Sequence, residues 1–233
     1  MSRICTICAR GGSRGVKNKN LRLLAGKPLI AHTLEQARSS GLFDLIAVSS
    51  DSPEILETAR AHGAGLMVAR PPELATDAAA KLPAIRHCVE RAEKTAANRF
   101  DVVVDLDATS PLRLAQDIRG AIELLETRGV SNVITGAPAR RSPYFNLVEL
   151  GENGVVHLSK PPAKAIVRRQ DSPQCYDMNA SIYVWRRDAL FEHSTVFAPD
   201  TLLFVMPEER SVDIDSELDF EIVELMMKKR AAQ

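Results

Sequence analysis

The sequence lacks the features that mark membrane and secreted proteins. None of its apolar runs approaches the ~20 residues of a membrane span, and no secretory hydrophobic segment follows Met1. The four cysteines, at positions 5, 8, 88 and 175, are not spaced as a disulfide framework. We therefore expect a cytoplasmic protein with reduced thiols and no membrane partner.

Acidic residues are missing from the beginning of the chain. The first is Glu35, and the 34 positions before it hold seven Lys or Arg. The whole chain has a net charge of +0, so this excess of positive charge is local. A local excess favours a small polyanionic ligand and argues against nucleic acid as a partner.

A glycine-rich segment inside this basic stretch lacks both common phosphate-binding spacings. It is neither Gly-x-x-x-x-Gly-Lys-Ser/Thr nor Gly-x-Gly-x-x-Gly. A short apolar strand over 4–9 nevertheless breaks at once into glycines and cations. These are Gly11, Gly12 and Gly15 with Arg10, Arg14, Lys17 and Lys19. The pattern predicts a phosphate-binding loop, with a tight turn on a solvated basic face as the structural alternative.

Apolar periodicity predicts strands that alternate with helices along one main domain. With 233 residues the chain can bury one α/β core and carry one insertion. Alternation on this scale predicts a three-layer, mostly parallel, Rossmann-like sheet with ligands at the carboxyl ends of its strands. Further strands are expected at 45–48, 66–69, 102–106, 132–135, 181–185 and 202–206, and helices at 29–40, 54–62, 81–97, 115–128, 188–193 and 218–229.

The alternation stops between residues 138 and 175, where prolines and charges interrupt any crossover helix. Segments 144–150 and 155–158 resemble a hairpin with apolar side chains to cover, among them Tyr144 and Leu147. We expect a main domain of residues 1–137 and 176–233. The insertion 138–175 is expected to pair two or more copies of the chain.

Two carboxylates precede the final helix. Asp213 and Asp215 are two residues apart on extended chain, so their side chains point to one side and can share a hard cation such as Mg²⁺. Alternatively, Asp215 or Ser216 caps the helix, with Glu217 and Asp219 favouring its dipole.

Six segments, in chain order, resemble motifs of the acylneuraminate cytidylyltransferases, which are the CMP-sialic acid synthetases. They are 9–15 with 19–20, 26–30, 70–74, 109–113, 179–183 and 213–219. The related 3-deoxy-octulosonate cytidylyltransferases use a different loop after the first strand and are less similar. The resemblance implies a nucleotide-diphospho-sugar transferase fold, dimerisation through the hairpin, and Mg²⁺ as cofactor. It also implies transfer of CMP from CTP to the anomeric hydroxyl of a nine-carbon α-keto acid sugar, with release of pyrophosphate.

The same resemblance assigns roles to individual residues. The catalytic set is Arg10, Lys19, Asp213 and Asp215, of which the two carboxylates also hold Mg²⁺. The nucleotide-binding set is Ala9, Arg10, Gly11, Gly12, Ser13, Lys19, Asn20, Arg70 and Asp77. The sugar-binding set is Asp107, Thr109, Arg113 and Arg169.

Three departures from the family's usual motifs concern the sugar. Asp107-Ala108 stands where Gln-Pro is usual, 76–81 lacks hydroxyl residues after its Asp, and 179–181 replaces Asn-Gly-Ala. An ionised Asp107 would repel a sugar carboxylate unless Lys81, Arg113 or a second Mg²⁺ stood between them. We expect Asp107 to bind sugar hydroxyls or metal, and the enzyme to prefer deaminated sialic acid or legionaminate over N-acetylneuraminate.

Two other functions are open at this point. One is a sugar-nucleotide-binding module without turnover. The other is a nicotinamide-dependent oxidoreductase on a similar sheet, which the missing Gly-x-Gly-x-x-Gly disfavours.

Overall fold

A computed structural model describes residues 1–12, 15–76, 78–164 and 166–231. Eleven strands and six α-helices are assigned over these residues. In chain order they are β1 Arg3–Cys8, β2 Leu23–Leu24, β3 Lys27–Pro28, α1 Leu29–Ser40, β4 Leu45–Ser50, α2 Pro53–Ala61, β5 Leu66–Ala69, α3 Lys81–Ala96, β6 Val102–Leu106, α4 Ala115–Arg128, β7 Asn132–Pro138, β8 Val148–Leu150, β9 Val156–Leu158, β10 Tyr176–Arg186, α5 Arg187–Glu192, β11 Leu202–Val205 and α6 Glu217–Ala231.

Seven strands form the central sheet in the order β11-β7-β10-β6-β1-β4-β5. Strands β1, β4, β5 and β6 pair in parallel, as do β7 and β11. Helices α1, α2 and α4 cover one face and α3 and α5 the other. The expected three-layer, mostly parallel α/β sheet is confirmed, and all five residues of β6 are buried, as expected of a central strand.

Strand β10 differs from the sequence prediction in direction and in length. It runs antiparallel to both β6 and β7, and it begins at Tyr176, earlier than the predicted 181. The chain leaves β7 at the carboxyl edge of the sheet and returns from residues 139–175 at that same edge. It can therefore run straight back beside β7 without the crossover helix that a parallel strand needs.

The predicted hairpin is present but shorter than expected. Strands β8 and β9 pair as a separate two-stranded sheet, with Leu150 opposite Val156. Residues 144–147 are not part of the strand, because the Ser142 carbonyl accepts hydrogen bonds from the N–H groups of Phe145, Asn146 and Leu147 and closes a turn.

A third apolar cluster ties the first loop to the final helix below the carboxyl edge. Its buried members are Val16, Leu24, Leu29, Leu112, Ile214, Phe220 and Val223. The cluster joins residues from the first 30 positions to residues after position 210, and so brings the two ends of the sequence together at one edge of the sheet. None of the helices in the described ranges is long and apolar enough to cross a membrane.

Candidate active site

The loop after β1 reaches the carboxyl edge between the loops that follow β4 and β6. The Ala9 N–H donates to the Ser49 carbonyl (3.0 Å), and the Gly11 N–H donates to Asp51 Oδ1 (3.0 Å). Both amides therefore have protein partners in this conformation. Gly12 is exposed, whereas Ser13 and Arg14 lie outside the described residues.

Gly15 is required by packing against the segment before α6. A Cβ at this position would lie 1.8 Å from the main-chain oxygen of Asp215, so no larger residue fits without moving the backbone. The sequence pattern predicts that the Gly15 backbone helps to bind an anion. In the structure, the absence of a side chain at Gly15 also lets the loop lie close to the 213–215 segment.

Lys19 and Asn20 lie on a short 3-10 turn facing the same edge. The Lys19 ammonium donates to the Ile214 carbonyl and forms an ion pair with Asp215 Oδ1 (3.1 Å). Asn20 is buried and donates from Nδ2 to the Arg10 carbonyl (3.0 Å). Its buried Oδ1 has no hydrogen-bond partner among the described residues. A buried acceptor of this kind is available to a ligand donor.

In the segment before α6, the residues that cap the helix are different from the two that form the carboxylate pair. Ser216 Oγ accepts from the Asp219 N–H (3.2 Å), and Asp219 Oδ2 accepts from the Ser216 N–H (2.7 Å). These reciprocal bonds form a capping box. Ser216 and Asp219 thus fulfil the alternative interpretation of this segment, and the Asp215 carboxylate remains outside the cap, paired with Lys19.

Asp213 is half-buried beside this pair. Burial raises the pKa of Asp213 above its usual range, and the neighbouring charge of Asp215 raises it further. Two carboxylates that repel each other in this way match the one or two protein carboxylates that Mg²⁺ takes when phosphates supply its other ligands. Within the described ranges, no group of three or more His, Cys, Asp or Glu side chains could hold a metal ion by itself.

The loop after β6 places Asp107 opposite Lys19. Asp107 Oδ1 accepts from the Thr109 N–H and from Thr109 Oγ1, both at 2.9 Å, and Asp107 Oδ2 lies 2.8 Å from Lys81 Nζ. The Thr109 carbonyl accepts from the Ile214 N–H (2.9 Å), which fastens this loop to the 213–215 segment. Burial raises the pKa of Asp107, but the Lys81 ammonium outweighs it and holds this pKa well below its usual range.

Arg113 lies beneath the loop rather than in the cavity. Its side chain is fully buried and donates to the Ser181 carbonyl (2.6 Å), Thr33 Oγ1 (2.7 Å) and Gln36 Oε1 (2.9 Å). It also donates to the Asp107 main-chain carbonyl (2.5 Å), and burial lowers the pKa of Arg113 to about 10. In this conformation Arg113 has no surface to offer a sugar, and it supports the loop that carries Asp107.

Two adjoining cavities open at this edge. One, of about 210 Å³, is lined by Lys19, Asn20, Thr109 and Asp215. The other, of about 270 Å³, is lined by Arg70, Thr76 and Lys81. Cys8, Arg10 and Asp107 line both, so the two cavities adjoin at these three side chains.

Arg10 and Arg70 supply positive charge to these cavities. Arg10 Nη1 lies 3.4 Å from the Thr76 carbonyl. Arg70 is buried and donates to Ser49 Oγ (3.1 Å) and to the Ser49 carbonyl (2.8 Å). The remaining nucleotide-binding candidate, Asp77, lies outside the described residues.

Arg169, another sugar-binding candidate, lies in a different part of the structure. It donates to the Ala139 carbonyl (2.8 Å) and lines a separate cavity of about 280 Å³ formed by residues of the segment 139–175. Arg169 lines neither of the two cavities around Asp107.

Sequence reasoning missed two residues at the carboxyl edge. Cys8 lines both cavities at the end of β1, and Asp105 contacts Lys81 from below. Strand periodicity carried the only signal for Asp105, since a carboxylate within an otherwise apolar central strand needs a buried partner. The sequence indicates Lys81 only as one of three cations, with Arg113 and a second Mg²⁺, that could stand beside Asp107.

Comparisons with known proteins show the family to which this chain belongs. The family model described as cytidylyltransferase matches residues 4–219. A CMP-N,N'-diacetyllegionaminic acid synthase from Campylobacter jejuni is 49% identical over 96% of this chain and 94% of its own length. The post-translational flagellin modification protein B of Campylobacter coli is 46% identical over 99% of this chain and 97% of its own length.

A solved structure shows the same fold at much lower sequence identity. It is a CMP:2-keto-3-deoxy-manno-octonic acid synthetase complexed with CTP, which is 18% identical and has a TM-score of 0.71. The match covers 99% of this chain and 100% of that one. The resemblance seen in the sequence motifs is confirmed.

Proposed function

Because this chain belongs to the cytidylyltransferase family, we propose that it joins CTP to a nine-carbon α-keto acid sugar. The reaction forms a bond between the anomeric oxygen and the α-phosphorus of CTP and breaks the bond from that phosphorus to the β-phosphate. The products are a CMP-sugar and pyrophosphate, and the hydroxyl proton is lost. The nearly full-length similarity to a CMP-N,N'-diacetyllegionaminic acid synthase favours a legionaminate-type acceptor.

One observation carries the proposal. Two cations, Arg10 and Lys19, and the carboxylate of Asp215 line a single cavity at the carboxyl edge. Phosphoryl transfer is catalysed mainly by positioning and charge stabilisation, so it needs such a set and no covalent nucleophile. The sugar-nucleotide-binding module and the nicotinamide oxidoreductase, kept open in the sequence analysis, receive no support from the family or its relatives.

Arg10 and Lys19 would hold the triphosphate and the charge that develops on it. Lys19 is kept in place by Asp215 and by the Ile214 carbonyl. A positioned ammonium costs little reorganisation when the phosphates bind. The amides of Ala9, Gly11 and Gly12 belong to the same loop, although Gly11 would have to exchange Asp51 for a phosphate oxygen.

The nucleoside would lie between Asn20 and Arg70, and the acceptor sugar would occupy the part of the second cavity that Lys81 and Asp107 line. Asn20 Oδ1 is a buried acceptor without a partner in the described structure, and a ribose hydroxyl or a base amino group can satisfy it. Arg70 would contact the nucleotide from the wall of this cavity.

Asp213 and Asp215 would hold a divalent cation, which we propose to be Mg²⁺. When bound, such an ion neutralises phosphate charge and lowers the pKa of a hydroxyl that it contacts. The residues of this chain orient the reactants: Lys19 and Arg10 fix the phosphates, and the loop bonded through Thr109 to Ile214 fixes Asp107 against the acceptor.

Asp107 and Thr109 would face the sugar, and Arg113 would support them from below. Arg169, in the insertion 138–175, would reach a sugar bound to the neighbouring subunit of a homodimer. The exposed apolar side chains of that segment, such as Leu150 and Val156, support this assembly. We propose a cytoplasmic location because all four cysteines are free thiols, as expected in a reducing compartment.

The test is CMP-sugar formation from each of the four nucleoside triphosphates with a panel of nonulosonates. We expect CTP with N,N'-diacetyllegionaminate or deaminated sialic acid to react faster than CTP with N-acetylneuraminate. Chelation by EDTA should stop pyrophosphate release, and added Mg²⁺ should restore it. Absence of CMP-sugar with every acceptor in the presence of Mg²⁺ would disprove the function.

A further inference from the structure

Two of the three departures from the family's motifs meet in the folded chain. Lys81 stands in the segment without hydroxyl residues, and Asp107 stands where Gln is usual. Their side chains form an ion pair of 2.8 Å between Lys81 Nζ and Asp107 Oδ2. The sequence shows two separate changes 26 positions apart, and the fold shows a single charged unit.

A buried carboxylate fixes this pair from below. Asp105 is fully buried on β6, and its Oδ2 lies 3.0 Å from the same Lys81 ammonium. Its other oxygen, Oδ1, accepts from Thr6 Oγ1 (2.8 Å). Lys81 Nζ also lies 4.8 Å from the centre of the Tyr183 ring. Burial lowers the pKa of Lys81, but Asp105 and Asp107 outweigh it and raise this pKa above its usual range.

Among the described residues, the contacts leave Asp107 with one free position for a ligand. Oδ1 accepts two hydrogen bonds from Thr109, and Oδ2 accepts one from Lys81. A carboxylate oxygen has two acceptor positions, so Oδ2 can take one more donor. The Asp107 side chain is 24% exposed, which gives this position access to the cavities.

The ammonium also lessens the electrostatic objection to an acid at this place. An unpaired Asp107 would repel a sugar that carries a carboxylate, whereas the contact of 2.8 Å to Lys81 offsets part of its charge. Asp105 shares the same ammonium, so further attraction for an anionic sugar comes from Arg10 and Lys19, which line the cavity with Asp107.

We propose that Asp105, Lys81 and Asp107 form one specificity element for the acceptor sugar. In it Asp105 positions Lys81, and Lys81 positions Asp107 and offsets part of its charge. Asp107 accepts a hydrogen bond from an N–H or O–H group of the sugar. The inference rests on the proposed cytidylyltransferase function and deepens it, since it predicts that these residues govern the sugar and leave CTP binding unaffected.

A double-mutant cycle tests the unit. Lys81→Ser, Asp107→Gln and the double variant would be assayed with N,N'-diacetyllegionaminate at saturating CTP, and with CTP at saturating sugar. We expect each single change to lower kcat/KM for the sugar about 10-fold or more, with KM for CTP within about 2-fold of wild type. The double variant should be no worse than the poorer single one, because residues of one network are not additive.

Asp105→Asn adds a readout that a contact residue cannot give. Asp105 is fully buried, so an effect on the sugar must pass through Lys81. We expect KM for the sugar to rise about 10-fold, as for other residues that orient a contacting group. Lys94→Ser, which removes an exposed lysine from the other end of α3, is the matched control and should match wild type.

The outcomes separate this inference from the function on which it rests. Thermal melting first identifies the variants that remain folded. If Lys81→Ser or Asp107→Gln does not fold, Asp105→Asn, which keeps the shape of the side chain, is assayed in its place. Multiplicative losses in the double variant, or equal losses for CTP and sugar, overturn the specificity element while the function stands. A wild-type chain that makes no CMP-sugar overturns the function and this inference together.

Discussion

The carboxyl edge of the sheet and the insertion 138–175 differ in how far their side chains have partners within the chain. At the edge, charged groups are held by partners within the same chain, as Lys19 is by Asp215 and Lys81 by Asp105. In the insertion, Leu150, Val155 and Val156 are each more than half exposed. At the edge the chain itself holds these charged side chains in place. In the insertion the same chain leaves the apolar side chains exposed.

The comparison indicates which part of the molecule a single chain can build by itself. The loops that carry Lys19, Thr109 and Asp215 are joined by contacts such as the hydrogen bond from the Ile214 N–H to the Thr109 carbonyl, so one chain can assemble the proposed nucleotide site. The sugar candidate Arg169 lies apart from Asp107 in this chain. Substitutions at the edge should therefore affect turnover directly, and substitutions in the insertion should act through assembly.

The largest effect is expected from Asp215→Asn. Removing one charge from the proposed metal pair should lower kcat by a factor on the order of 10² or more, measured as pyrophosphate release. The fold should survive, since Ser216 and Asp219 cap α6 without Asp215.

Asp219→Asn is the matched comparison for that variant. It weakens the capping box and should cost about 1 kcal/mol of stability with little loss of kcat. Full magnesium-dependent activity in Asp215→Asn would mean that Asp215 has only a structural role before α6.

Arg10→Ala and Lys19→Ala should have the next largest effect. Each removes a cation from the cavity that holds the phosphates in our proposal, and kcat should fall about 10²-fold even at saturating CTP. Steady-state kinetics distinguish this from a pure rise in KM, which would mean that the cation binds only the ground state. Lys94→Ala provides the control for loss of one positive charge.

The insertion is tested by the pair Leu150→Lys and Val156→Lys, made together. These residues lie opposite each other on β8 and β9, and charges there should weaken a dimer by a factor of about 10 or more. Sedimentation should show one chain for the variant and two for wild type at micromolar concentration. Leu225→Lys alters an exposed apolar residue of α6 as a control. A wild-type chain that sediments as a monomer would mean that the insertion does not pair two copies of the chain.

The smallest effect concerns the backbone of β10 beside the edge. Ala180 has a φ of 49°, in the left-handed region that favours glycine, at the position where the family has Gly. Ala180→Gly should stabilise the chain by about 0.5 kcal/mol, because relief of strain exceeds the added entropy of the unfolded chain. Thermal melting should show a gain also for Ala97→Gly (φ 48°) and a loss for the helical Ala61→Gly. A loss at Ala180 would mean that the backbone at this position tolerates the methyl group.

Local pattern was sufficient for most of the fold. Strands β5 and β6 and helices α1 and α4 fall within the residues predicted for them, because apolar periodicity and capping residues act over a few positions. Local pattern also indicated that the loops after β1 and β6 carry the chemistry, since these loops follow buried parallel strands.

Tertiary structure decided what local pattern could not. The direction of β10 depends on where the chain re-enters the sheet, and the two-residue strands β2 and β3 are too short to show a period. Arg113 looked like a ligand-binding cation in its motif, yet its partners Thr33 and Ser181 come from distant positions and bury it.

The sequence by itself determined the cytidylyltransferase resemblance, the alternation of strands and helices, and the identity of the charged residues at the carboxyl edge. Only the fold decided which of those charges meet. Asp105, Lys81 and Asp107 become one unit because β6 and the start of α3 converge, and Lys19 reaches Asp215 because an apolar cluster unites the two ends of the chain. Ion pairing acts over a few ångströms in space, and separation along the chain does not reveal it.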